Sequence, residues 1–213
     1  MLIQTVVLVL TLLLAPVVCS LPPGSYSKTL SLDEPGVKGT DMVSPDETKK
    51  IIAKQAEAVL KALKHQDMNQ LQPYIHPKKG VRFSPYATVD VKHDLVFKAE
   101  QLKPLPQDKT VYTWGTYDGS GAPIQLTFPD YYKHFVYDRD YAQPEKIGYN
   151  ELVMQGNSVI NIREAYPNSI FVETHFSRDA DHNEMGWSSL RLVFQQHAEA
   201  WYLVSIVHDQ WTI

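Results

Sequence analysis

Cysteine is close to absent: one residue, Cys19, in a chain of 213. A single thiol cannot form a disulfide within the chain, so the folded part depends on its apolar core for stability. Nothing after position 19 can act as a cysteine nucleophile or build a thiolate zinc cluster. Long apolar runs are equally scarce. The longest, residues 6–18, is interrupted by Thr11 and falls short of the roughly 20 residues that a membrane span needs. Excess charge of either sign is missing as well. A net charge of −4, with only the step Lys78-Lys79 approaching a basic cluster, leaves no surface to neutralise phosphates, so nucleic acid is not an expected partner. The sequence contains no HExxH, GxSxG, phosphate-binding loop or dinucleotide glycine fingerprint. No cofactor and no metal site is expected.

What is present begins with MLIQTVVLVLTLLLAPVVCS, whose apolar run has the length of a signal-peptide core and ends at Cys19. A lipoprotein signal places its lipidated cysteine there, although Pro16-Val17-Val18 lacks the usual small residue before it and no lysine or arginine precedes the run. An ordinary secretory signal cut near Ser20 is the second reading. Residues 20–43, rich in Pro, Gly, Ser and Thr and without helical or strand period, read as a tether. As a flexible coil it would reach roughly 25–30 Å. The expected organisation is therefore signal (1–19), tether (20–43) and one folded domain (44–213). Its product is exported, either anchored to a membrane through Cys19 or free in the periplasm or outside the cell.

The domain opens with a capping pattern, Ser44-Pro45-Asp46-Glu47, and a helix whose Ile52, Ala56, Val59, Leu60 and Leu63 recur at helical spacing. Asp67 is placed to cap a short second helix carrying Leu71, and GVRFSPY follows as a strand. A strand over residues 111–117 ends in the turn Asp118-Gly119-Ser120-Gly121. Thr127-Phe128-Pro129-Asp130 caps a helix that turns Tyr131 and Phe135 inward. Three strands close the chain, near 169–176, 188–196 and 201–213, the last two joined through residues 197–200.

The stretches LKALKHQDMNQLQPYIHP and LRLVFQQHAEAWYLVSIVHDQWTI, in this order, resemble the nuclear transport factor two-like (SnoaL-like) cone fold across most of residues 44–213. The resemblance implies an α+β domain with N-terminal helices packed on a curved antiparallel sheet. It also implies a pocket inside the cone, whose chemistry varies from isomerases and dehydratases to plain binding. HPKKGVRFSPY, WGTYDGSG and HDQWTI are similar to a group of bacterial lipoproteins and secreted proteins, which implies an envelope location and no reaction.

Strand alternation sorts the candidate site residues. Leu190, Leu192 and Phe194 face the core, while Glu173, His175 and Arg191 form a polar ladder on the opposite face. Val204, Ile206 and His208 point one way and Ser205, Val207, Asp209 and Trp211 the other, so His208 and Asp209 cannot readily pair with each other. His208 at the mouth of the cone is a candidate general base, with Tyr86 or Arg82 stabilising developing charge. Arg82, Tyr86, Trp114, Tyr117 and His208 are the candidate ligand-binding set, with aromatic faces for an apolar or sugar-like ligand. Asp179, Asp181 and Asn183 have the first spacings of a calcium loop, but Glu184 and Leu190 break the rest. Two functions follow: binding of a small ligand or protein partner at the cell envelope, or a small hydrolase or isomerase using His208. A homodimer through an apolar patch at Leu203, Val207 and Trp211 is a third expectation.

Overall fold

The computed structural model describes residues 44–177 and 186–212. The signal segment with Cys19, the tether, and the spacing Asp179, Asp181, Asn183 lie outside the described residues. Helix α1 (Pro45–Lys64) starts at the expected cap. The Ser44 hydroxyl accepts the Glu47 amide at 3.2 Å, and Asp46 and Glu47 sit at the positive end of the helix dipole. Ile52, Ala56, Val59, Leu60 and Leu63 form its buried stripe. Gln66, at φ 51°, ends the helix, and Asp67 caps α2 (Met68–Leu71) by accepting the Gln70 amide at 3.0 Å.

Strands β1 (Val81–Ser84) and β2 (Val96–Phe97) come next, then α3 (Ala99–Leu102) and the hairpin β3 (Tyr112–Thr116) and β4 (Pro123–Leu126). Helix α4 (Phe128–Phe135) is capped by Thr127, which accepts the Asp130 amide and donates to its carboxylate at 2.6 Å. Phe128, Tyr131, Tyr132 and Phe135 turn inward from it. Strand β5 (Lys146–Tyr149) and α5 (Ile162–Ala165) precede β6 (Ile170–Phe176), β7 (Ser188–His197) and β8 (Ala200–Gln210). Six strands make one sheet in the order β2-β1-β8-β7-β6-β5, in which only β1 and β8 are parallel. Helices against an antiparallel-dominated, cone-like sheet give the α+β class expected from the sequence.

The sheet has a core on each face. Phe83, Val172, Leu190, Leu192, Phe194 and Ile206 pack under the helices, whereas Phe171, Val193, Val204 and Val207 pack under Val89, Ile162 and Tyr166. One irregularity corrects the alternation drawn from sequence. Val193 pairs with Ser205 but Phe194 pairs with Leu203, so Val204 is an extra residue in β8. This bulge puts Leu203 on the helix side and Val204 on the other, against the expectation that Val204 lies beside Ile206. The expected surface patch is corrected with it: Leu203 and Val207 are fully buried in different cores, and only Trp211 of the three is exposed.

The polar ladder also differs from expectation. Glu173, His175 and Arg191 do occupy the face opposite the helices, yet all three are buried. Arg191 lies between two carboxylates, with Nη1 2.9 Å from Asp209 Oδ2 and Nη2 3.2 Å from Glu173 Oε1. The preceding connection closes over them, because Val153 and Met154 donate their amides to Glu173 and the Met154 carbonyl accepts from Arg191 at 2.9 Å. Burial draws the Asp209 carboxyl upward, and the Arg191 charge only partly opposes it.

Candidate functional site

The chain leaves β1 at Ser84-Pro85 and folds into a loop that its own aspartates lock. The Asp90 carboxylate accepts the Lys92 and His93 amides, a local turn that Asp favours, and its other oxygen lies 2.7 Å from the His93 ring. Asp94 closes the loop: its Oδ2 accepts the Ser84 hydroxyl at 2.5 Å and the Asp90 amide at 2.9 Å. Arg82 staples this loop from the far face of β1, donating to the Asp90 and Asp94 carbonyls at 3.1 and 2.9 Å and to the Tyr166 hydroxyl at 2.9 Å.

Across from the loop stands the tip of the β3–β4 hairpin, where Gly119 and Gly121 adopt positive φ and Thr212 donates to Asp118. Loop and hairpin enclose a cleft of about 390 Å³, within the range of small-molecule sites, lined by Tyr86, His93, Asp94, Tyr117 and Asp118 among others. It continues past Tyr86 and Asp118 into a shallower opening beside Trp211. Its charge is negative: Asp90, Asp94 and Asp118 line it, and His93, the one titratable base there, is engaged by Asp90.

Asp94 dominates this site electrostatically. It is only 8% exposed, and among the described residues nothing donates to its Oδ1. Burial raises its carboxyl to about 6, against the pull of the Ser84 hydroxyl, the Asp90 amide and the Arg82 charge. Beneath lies Tyr131, wholly buried, whose hydroxyl has no partner among the described residues and whose ionisation is opposed first by burial, then by Asp94 and Tyr86. Burial likewise raises the Tyr86 hydroxyl.

The sequence candidates separate. Tyr86 and Tyr117 meet in the cleft. Arg82, expected inside the cone beside Phe83, instead projects to the opposite face, because neighbouring strand residues alternate, and its donors are committed to the loop. Trp114 is core rather than ligand surface: it is fully buried, stacks on Tyr131 with ring centroids 3.8 Å apart, and donates its indole N–H to the Leu126 carbonyl. His208 is fully buried beneath Phe135 and lines neither the Tyr86 cleft nor the opening beside Trp211. Its ring nitrogens face two acceptors, Asp138 Oδ1 at 3.1 Å and the Pro85 carbonyl at 3.3 Å. Both ring nitrogens are thus engaged within the fold, and His208 lies in the core and not at the open mouth where it was expected. Burial would raise the Asp138 carboxyl, but the charge and hydrogen bond of His208 and the Tyr141 hydroxyl outweigh it and hold it below the ordinary range.

Sequence reasoning missed Asp94 and Asp118. The only local sign was the DVKHD spacing of residues 90–94, which marks a turn and says nothing of burial. Among the described residues, no group of three or more His, Cys, Asp or Glu is arranged to hold a metal, and no helix is long and apolar enough to cross a membrane. No protein-family model and no curated protein matches the sequence. Among solved structures, a chain titled Rd1NTF2_05 with five substitutions aligns with 75% of this chain and 98% of its own length, at 10% identity and a TM-score of 0.31.

Proposed function

We propose that this is an exported binding protein whose domain holds a small, positively charged ligand in the cleft between Tyr86, Asp94 and Tyr117, with Cys19 and the tether attaching it to the cell envelope. The supporting observation is Asp94: a nearly buried carboxylate fixed through one oxygen, with the other left free at the wall of a cleft that carries net negative charge. Such an oxygen gains most from a charge-assisted donor, and the tyrosine rings at the mouth add an aromatic surface for a cation. Binding is favoured over hydrolysis or isomerisation through His208 because that ring is buried, with oxygen partners at both nitrogens.

Amide shifts on titration with benzylammonium, benzyl alcohol and benzoate test the reading. Benzylammonium is expected to shift cleft residues most and benzoate least, with the preference lost in Asp94→Asn. Equal responses to benzylammonium and benzoate would refute it. The attachment is tested separately: labelled palmitate should enter the chain and disappear with Cys19→Ala.

A further inference from the structure

A second concavity shares no residue with the Asp94 cleft. Strand β5 is the outer edge of the sheet, and α1 packs over its neighbour β6. Between them runs a groove of about 630 Å³, inside the usual range for small-molecule sites. The space exists because α1 presents Ala53 and Ala56 toward it, where larger side chains would reach the strands. Its floor is apolar, built on Leu60 and Val172. Its outer wall includes Ile147, which is 46% exposed on an edge strand that pairs only with β6 among the described residues.

The rim is basic. Lys54, Lys61 and Lys64 border the groove against one carboxylate, Glu57. Lys64 is held by Asp140 at 2.6 Å. Among the described residues, Lys54 and Lys61 have no hydrogen-bond or ion-pair partner. They stand two helical turns apart, about 10 Å along the axis, with Glu57 between them one turn from each; the two ammonium groups outnumber that carboxylate, and the rim keeps a net positive charge. An apolar trough beneath unpaired ammonium groups matches a molecule with an apolar tail and an anionic head; a cationic or purely apolar molecule would leave one part of the groove unanswered.

We propose that this groove binds an anionic amphiphile of the fatty-acid class, its chain against Leu60, Ile147 and Val172 and its carboxylate at the ammonium group of Lys54 or Lys61. Calorimetric titration of the full chain carrying Asp94→Asn, which removes the cation preference of the other cleft, with dodecanoate and with dodecyltrimethylammonium, each below its micelle concentration, tests it. Dodecanoate is expected to bind at least ten-fold more tightly. Lys54→Glu with Lys61→Glu should abolish or reverse that preference, Ile147→Ser should weaken dodecanoate several-fold, and Val111→Ser, exposed and outside both concavities, should change neither. These side chains are exposed or lie on an edge strand, and the circular dichroism of each variant checks that it folds. Equal affinity for the two amphiphiles, or dodecanoate binding unchanged by the paired lysine substitution, overturns the proposal. So does a concentration-dependent dimer lost in Ile147→Ser without dodecanoate binding, which would assign the groove to a second copy of the chain.

Discussion

The two faces of the six-stranded sheet are both closed, by opposite means. Under the helices, Leu190, Leu192, Phe194 and Ile206 meet a nest of aromatic rings in which Phe83, Trp114, Phe128 and Tyr131 contact one another. On the other face, part of the cover lies on charge: Arg191 between Glu173 and Asp209, sealed by backbone groups of Val153 and Met154. The first closure draws on apolar transfer and tolerates apolar substitutions that keep the volume. The second is stabilising only while every partner stays in place, because each buried charge that loses its partner retains its desolvation cost.

The strongest way to break the contrast is Arg191→Leu. It leaves two buried carboxylates facing each other and should cost about 3–5 kcal/mol by urea denaturation at neutral pH. The loss should shrink in acid, where protonation removes the repulsion. Leu192→Ala on the helix face should cost about 2–5 kcal/mol through a cavity, with no such pH dependence. If both variants responded to acid alike, the ionic account of the second face would fail.

Asp94 offers a pH-dependent test of smaller size. Its folded carboxyl at about 6 lies above the ordinary value of 3.8, so the folded chain takes up the proton first as pH falls. Stability should therefore decline as pH rises from about 4 to about 6. Asp94→Asn should remove that slope and stabilise above pH 6 by about 1–3 kcal/mol, since each unit is worth about 1.36 kcal/mol. Thermal unfolding across this window checks it. The smallest effect belongs to Ser44→Ala, which unties the first turn of α1 and should cost about 1 kcal/mol at any pH.

The elements legible in the sequence are those written in local rules. Ser44, Asp67 and Thr127 cap the helices they were expected to cap, and the three closing strands fall close to their predicted spans. What escaped depends on distant partners. No glycine or proline marks the bulge at Val204. Burial of Glu173 and Arg191 is decided by residues 153 and 154, a stretch with no period of its own. The partner of His208 is Asp138, 70 residues earlier, and not the adjacent Asp209. Of the candidate site, the two tyrosines were legible as aromatics able to line a cleft. Asp94 was not, because its character arises only when the 85–94 loop folds against the hairpin.

The parallel pairing of β1 with β8 bears on how the molecule assembles. Arg82 stands opposite Ser205, so the two strands meet across 123 residues of chain. Strand β8 follows every other strand in sequence yet lies inside the sheet, with β1 and β2 on one side and β7, β6 and β5 on the other. Until it is synthesised the two halves have no shared border, and both keep open edges. Loop closure over so long a distance slows folding, and the six-stranded sheet is completed only when the final strand slots between its two halves.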